Sequence, residues 1–279
     1  LPEEWNNSLE ELSEQFENPV DKECKIQVLI PVAGHQEGKN IYDTLKWYAR
    51  QKNENGEALD PKTFELILFV NHPKDAQPDE TLDEINRFKQ DYPNLKVNSI
   101  YKALDRDQAK IGTIRKMLAD LALKRQLDSG VESQDIALVS NDADCEGISD
   151  QYLSNFMEQF KDNPELDAVL GKIDWDPKAY AKSPLLYVGT RLFQYLDAIN
   201  RHPDDSVRKH VGSSGANFAY KSSIYSAVGG YITDGEIGED VQLGRMMIAA
   251  RRGSDTYPIG YGKSKSVIYT NARRGVDAV

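Results

Sequence analysis

The stretch that most constrains this chain is Ile136-Ala137-Leu138-Val139-Ser140-Asn141-Asp142-Ala143-Asp144. An apolar run passes without alternation into two carboxylates one residue apart. Such a run marks a strand covered on both faces, as in parallel sheets flanked by helices. Two earlier runs share this character, Lys25–Val32 (KIQVLIPV) and Phe64–Val70 (FELILFV), each followed by a polar break and a helical pattern. Helices are predicted from about Asn40 to Gln51, from Pro78 to Asp91, and from Ala109 to Leu127, where Ile111, Ile114, Met117, Leu118 and Leu121 recur at helical spacing. Shorter strands are predicted at Leu95–Tyr101 and Leu166–Ile173, and Ser149 is placed to cap a helix reaching Phe160. This alternation predicts an α/β domain with a mostly parallel central sheet and helices on both faces.

In such a sheet, ligands bind beyond the carboxyl ends of the strands. Asp142 and Asp144 lie where their strand runs out. Two carboxylates this close repel each other unless a cation lies between them, and an oxygen-only set suits Mg²⁺ or Mn²⁺. An isolated Asp-x-Asp also describes an acidic turn ahead of the next helix, so the rest of the chain has to decide. The loop Ala33-Gly34-His35-Gln36-Glu37-Gly38 has neither a P-loop nor a G-x-G-x-x-G pattern, which leaves an ATPase or dinucleotide enzyme without support. His35 there is a ligand contact or a solvated loop residue. Lys110, Gly112 and Arg115 open the third helix, where backbone N–H groups and cationic side chains meet a phosphate, or else form a solvated basic face.

The second half reads differently. A helix is predicted at Pro184–Asn200. Small residues dominate the run His210–Tyr220 (HVGSSGANFAY), Gly215-Ala216-Asn217 within it, which lets backbone approach a ligand closely. A short helix, Lys221–Val228, is closed by Gly229-Gly230. Glu239-Asp240 open another helix, where acidic residues also favour the helix dipole. A strand follows at Ser266–Tyr269. At the other end, Trp5, Leu9, Leu12 and Phe16 fall at helical spacing, which predicts an amphipathic extension over residues 1–24 packed on a single domain of 25–279. Within that domain, 25–175 is the expected nucleotide-binding half and 176–279 the acceptor half.

The net charge of −11 argues against nucleic acid as a partner. No apolar run approaches the roughly 20 residues of a membrane span. The acidic N-terminal stretch does not resemble a signal peptide, and a cytoplasmic setting is the expectation. Cys24 and Cys145 lack metal-type spacing and are expected as reduced thiols.

Three segments now coincide in order: the Asp142-Ala143-Asp144 turn, Gly215–Tyr231 (GANFAYKSSIYSAVGGY) and Gly238–Gly244 (GEDVQLG). Together they resemble family 2 glycosyltransferases, a GT-A fold with a Rossmann-like core, over about residues 25–275. The resemblance implies a nucleotide-diphosphate-sugar donor at the carboxyl end of the sheet, with Pro31, Val32, Ala33 and Glu37 lining the nucleoside pocket. Asn71 is implied near the base or ribose, where the family usually carries Asp. Asp142 and Asp144 match the D-x-D that holds Mg²⁺ or Mn²⁺ on the diphosphate. Asp240 matches the general base, and Glu239 its orienter or an acceptor contact. No His follows His210, so the C-terminal His ligand of some members is absent, and Arg273 and Arg274 are the candidates to hold the diphosphate instead.

The chemistry fits these types. A leaving diphosphate gains charge that a divalent cation offsets, while a carboxylate removes the attacking hydroxyl's proton. One base with in-line attack inverts the anomeric centre. The expected partners are the donor and a glycan, lipid or small-molecule acceptor, with Trp175, Tyr187, Phe193 and Tyr195 available to stack on a sugar or to pack in the core. A non-catalytic sugar-nucleotide-binding module remains the alternative. A nucleotidyltransferase fits less well, because it calls for a Gly-rich basic loop after the first strand.

Overall fold

The computed structural model describes residues 3–131, 136–200, 215–233, 238–251, 259–261 and 265–270. His210, Arg273 and Arg274 lie outside the described residues, as do the side chains of Phe193 and Tyr195. In chain order the elements begin with α1 (Glu3–Ser13), β1 (Ile26–Ala33), α2 (Ile41–Ala49), β2 (Phe64–Pro73), α3 (Thr81–Asp91), β3 (Val97–Leu104) and α4 (Ile111–Asp128). They continue with β4 (Ala137–Asn141), β5 (Cys145–Ile148), α5 (Tyr152–Asp162), β6 (Ala168–Leu170), β7 (Lys172–Trp175), α6 (Pro177–Lys182) and α7 (Pro184–Asn200). The last are β8 (Asn217–Lys221), α8 (Ser222–Ala227), α9 (Glu239–Ala250), β9 (Ile259–Tyr261) and β10 (Val267–Thr270).

Successive side chains of a strand point to opposite faces, and in β1 and β2 both faces are buried. Ile26, Val28, Ile30 and Val32 pack with Leu66, Leu68 and Val70 under α2, α3 and α5. Leu29, Ile67 and Phe69 face the other way, into α4, α8, α9 and α1. The unbroken apolar runs thus mark strands sandwiched between helices. α1 lays Leu9 and Leu12 on α4, and its Trp5 Nε1 donates to Asp120 Oδ2 at 2.9 Å. No helix among the described residues is long and apolar enough to cross a membrane.

The main sheet runs β3-β2-β1-β4-β8-β6-β9, parallel throughout except for β8, which is antiparallel to both β4 and β6. A smaller sheet runs β5-β10-β7. The chain steps outward from β1 to β2 and β3, then crosses back to place β4 on the other side of β1. That reversal is where open α/β sheets bind ligands. The register shows the crevice opening there: β1 pairs with β2 as far as Ala33↔Asn71, but with β4 only to Leu29↔Ser140. Pro31, which has no N–H to give a ladder, comes two residues after that pairing ends.

Two expectations need correction. Leu166–Ile173 is not one strand but parts of two, β6 in the main sheet and β7 in the small one. Gly171 is the break, because the Asn217 amide occupies the space beside it; a methyl there would lie 2.2 Å from Asn217 Oδ1. Both pieces carry apolar residues, so composition does not reveal the change of sheet. Ser149 does not cap α5, which starts at Tyr152 after Gln151. Its hydroxyl instead donates to the Lys265 carbonyl and accepts the Val267 N–H at 3.1 Å, tying β5 to β10.

Gly171→Ala is expected to destabilise the protein by about 2–4 kcal/mol in urea unfolding. The methyl would displace a buried amide that accepts from Tyr152 Oη and donates to the Lys172 and Ser266 carbonyls. Gly56→Ala, at φ +83 with open space around it, should cost only about 1 kcal/mol.

Candidate active site at the β1–β4 crevice

The turn after β4 is built from below. Asn141, fully buried, accepts the Asp142 N–H on Oδ1 at 2.9 Å and donates from Nδ2 to Tyr48 Oη at 2.6 Å. Thr44 of α2 donates to the Ala143 carbonyl at 2.7 Å. Ala143 is buried between the two aspartates, so the turn is pinned by its middle residue while Asp142 and Asp144 remain at the cleft. Burial pushes the Cys145 thiol well above its usual range, which removes it as a thiolate ligand or nucleophile.

The cleft has a volume of about 540 Å³. Pro31, Val32, Ala33, Glu37, Asn71, Asp142 and Asp144 are among the residues that line it. His35 and Gln36 also line it, their side chains 2.9 Å apart. Asn71 is anchored through Nδ2 to the Val32 carbonyl at 3.2 Å.

Arg115 ties this cleft to the second half of the chain. It lines the cleft, its side chain is 11% exposed, and it donates from Nη2 to Asp142 Oδ1 at 2.9 Å and from Nη1 to Glu239 Oε1 at 2.6 Å. Burial disfavours its charge, but Asp142, Tyr231 and Glu239 outweigh that and raise its pKa above the ordinary arginine value. Gly215 is required beside it: a methyl there would lie 2.1 Å from Nη1. Gly215 is gripped at both ends, its N–H by Asp240 Oδ2 and its carbonyl by the Ser140 hydroxyl, each at 2.6 Å. Asp240 Oδ1 also accepts the Val241 N–H at 2.7 Å. Three motifs far apart in sequence therefore meet at one guanidinium.

The other expected residues divide. Gly112 lies beside Glu239, where an added methyl would meet its Cβ and Cγ at 3.4 Å, one turn before Arg115 on the same face of α4. Lys110 is exposed at the N-cap position of α4 and does not line the cleft. Ala216 packs against the apolar cluster under α2 and α5. Asn217 is fully buried with its amide spent on the core, so it supports the sheet and does not face the cleft. Tyr187 stands half exposed edge-on to Tyr180, with the Arg191 guanidinium 5.0 Å from its ring centre. Arg115 is the site residue the motif reading undervalued. The signal for it was spacing, since Gly112 and Arg115 share a helix face.

Among the described residues no three His, Cys, Asp or Glu side chains are grouped to hold a metal ion. Two carboxylates at the mouth of a cleft nonetheless fit Mg²⁺ or Mn²⁺, which commonly take one or two carboxylates with phosphate oxygens completing the shell.

No protein-family model matches the sequence, and no curated protein matches it either. The likeness to solved structures shows the fold: the chain has a GT-A-type α/β fold. Among solved structures it is similar to a mannosyltransferase from Pyrobaculum calidifontis in complex with GDP-Man and Mn²⁺. The identity is 16% and the TM-score 0.57, over 98% of this chain and 66% of that one, just under two thirds of its length. It is also similar to glucosyl-3-phosphoglycerate synthase from Mycobacterium tuberculosis in complex with Mn²⁺, UDP-Glc and glycerol 3-phosphate. That match has 14% identity and a TM-score of 0.44 over 89% of this chain and 70% of that one, too distant to build on.

Proposed function

We propose that this chain is a glycosyltransferase of the family 2 kind, moving a sugar from a nucleoside-diphosphate donor to an acceptor hydroxyl with inversion. The observation that carries this reading is the meeting of Asp142, Glu239 and Asp240 around Arg115 and Gly215 at the end of β4. The GT-A fold and the GDP-Man in the Pyrobaculum structure support it.

The nucleoside occupies the wall made by Pro31, Val32, Ala33, Glu37 and Asn71. Asp142 and Asp144 hold Mg²⁺ or Mn²⁺ with the diphosphate. When bound, that cation offsets the charge gained by the leaving diphosphate. Asp240 takes the proton of the attacking hydroxyl, its carboxylate aimed by the Gly215 and Val241 N–H groups. Glu239 is turned onto Arg115, so its role is to position that cation. The acceptor is a glycan, lipid or small molecule bearing the hydroxyl.

A thermal-shift panel of UDP- and GDP-sugars tests this reading. One donor with Mn²⁺ should raise the melting temperature by about 5 °C at a hundredfold excess over its dissociation constant. Chelating the metal, or Asp144→Asn, should remove most of that rise. A panel without any response sinks the proposal, and a donor that binds without being turned over points to a sugar-nucleotide-binding module.

A further inference from the structure

A cation already sits in the crevice, and it belongs to the protein. Arg115 holds Asp142 at 2.9 Å and Glu239 at 2.6 Å, and among the described residues Glu239 has no other partner. The Arg115 Nε is buried without a partner of its own. Gly215 flanks the guanidinium closely enough that a methyl there would lie 2.1 Å from Nη1.

A divalent cation arriving alone therefore meets a like charge, one aspartate already engaged, and no third side-chain ligand grouped nearby among the described residues. A nucleoside diphosphate changes all three conditions. It brings negative charge, supplies oxygens for the metal, and offers Arg115 a new partner while Asp142 is released.

We propose that Arg115 is a positioning residue that acts as the resident counter-ion of the crevice, so that Mn²⁺ or Mg²⁺ binds poorly alone and strongly together with the donor diphosphate. This deepens the glycosyltransferase reading and rests on it. It makes the metal and the donor obligate companions, and it casts Arg115 as the group that exchanges one anion for another when they enter.

The test is direct Mn²⁺ binding, read from the loss of the free-ion electron paramagnetic resonance signal, with and without UDP or GDP. In the wild-type protein the nucleotide should tighten Mn²⁺ binding at least about tenfold, and Mn²⁺ should tighten nucleotide binding by the same factor, because linkage is reciprocal. Arg115→Met should tighten binding of Mn²⁺ alone by about tenfold or more, the size expected on removing a like charge about 4–6 Å away, and should shrink the coupling toward none. Arg115→Lys should keep the coupling. The double variant Arg115→Met/Glu239→Gln leaves no buried carboxylate unpaired and gives the same readout if the single variant folds poorly. Unchanged or weaker Mn²⁺ binding in the folded Met variant, with coupling intact in the wild type, overturns the counter-ion role alone. A wild-type protein that binds neither nucleotide nor Mn²⁺ overturns the glycosyltransferase reading and this role with it.

Discussion

Asp240→Asn is expected to lower turnover by about 10²–10⁴-fold while leaving donor affinity within about twofold. The amide has nearly the shape of the carboxylate but does not accept a proton. Its remaining oxygen can keep the bond from the Gly215 N–H or from the Val241 N–H, so the local backbone should hold. The donor contacts proposed above lie along β1 and the Asp142–Asp144 turn and do not include Asp240, which is why binding and transfer should separate. The check is steady-state transfer alongside calorimetric donor binding. Wild-type turnover in the variant removes Asp240 from the role of base, and loss of both properties places it in the donor site.

The second large effect lies at the opposite end of β1. Glu65 and Arg125 are 1% and 4% exposed and form a two-pronged ion pair, with both nitrogen–oxygen distances 3.0 Å. Gln27 donates to Glu65 Oε1 at 2.7 Å, Asn98 donates to Oε2 at 3.2 Å, and Gln126 donates to Gln27 at 2.6 Å. Arg125→Met should cost about 3–5 kcal/mol in urea unfolding, because it leaves a carboxylate buried without its countercharge. Adding Glu65→Met should recover part of that loss, since no charge is then stranded. Recovery should be incomplete, because Gln27 and Asn98 would each lose an acceptor. If Arg125→Met alone changed stability by less than 1 kcal/mol, water would have to reach this site, contrary to its burial.

How much of this was legible in the sequence depended on what each element asks of its residues. Buried parallel strands ask for unbroken apolar runs, so β1, β2 and β4 stood out, and the helices between them followed from spacing and breakers. The small sheet was hidden. β5 and β7 are four residues each, and both pair with β10, which comes much later in the chain: Ile148 meets Ile268, and Lys172 meets Val267. The polar core was partly visible: Gln27 and Glu65 stand opposite each other in register, and each interrupts an otherwise apolar run. What the sequence did not supply was their partner, because Arg125 lies in a helix that also carries exposed basic residues.

The candidate site followed the same logic. Asp142, Asp144, Glu239 and Asp240 were visible as motifs, and the first two lie on the cleft. Gly215 was picked out for closeness to a ligand, yet what approaches it is an arginine of the same chain. Asn217 was grouped with Gly215 because it is two residues away. Gly215 and Ala216 are a turn ahead of β8, however, and Asn217, the first residue of that strand, has its side chain in the core.

The placement of β8 has a consequence for how this chain could be taken apart. The sheet interleaves its two halves: β8 comes from the later half, yet it is threaded between β4 and β6 of the earlier one. A fragment ending at residue 175 would strip a neighbour from both strands at once, leaving two raw edges that invite pairing with other molecules. Within the main sheet the earlier and later strands therefore assemble together, since β8 completes the ladders of both β4 and β6. The proposed donor and acceptor halves would then be regions of one surface and not separable pieces.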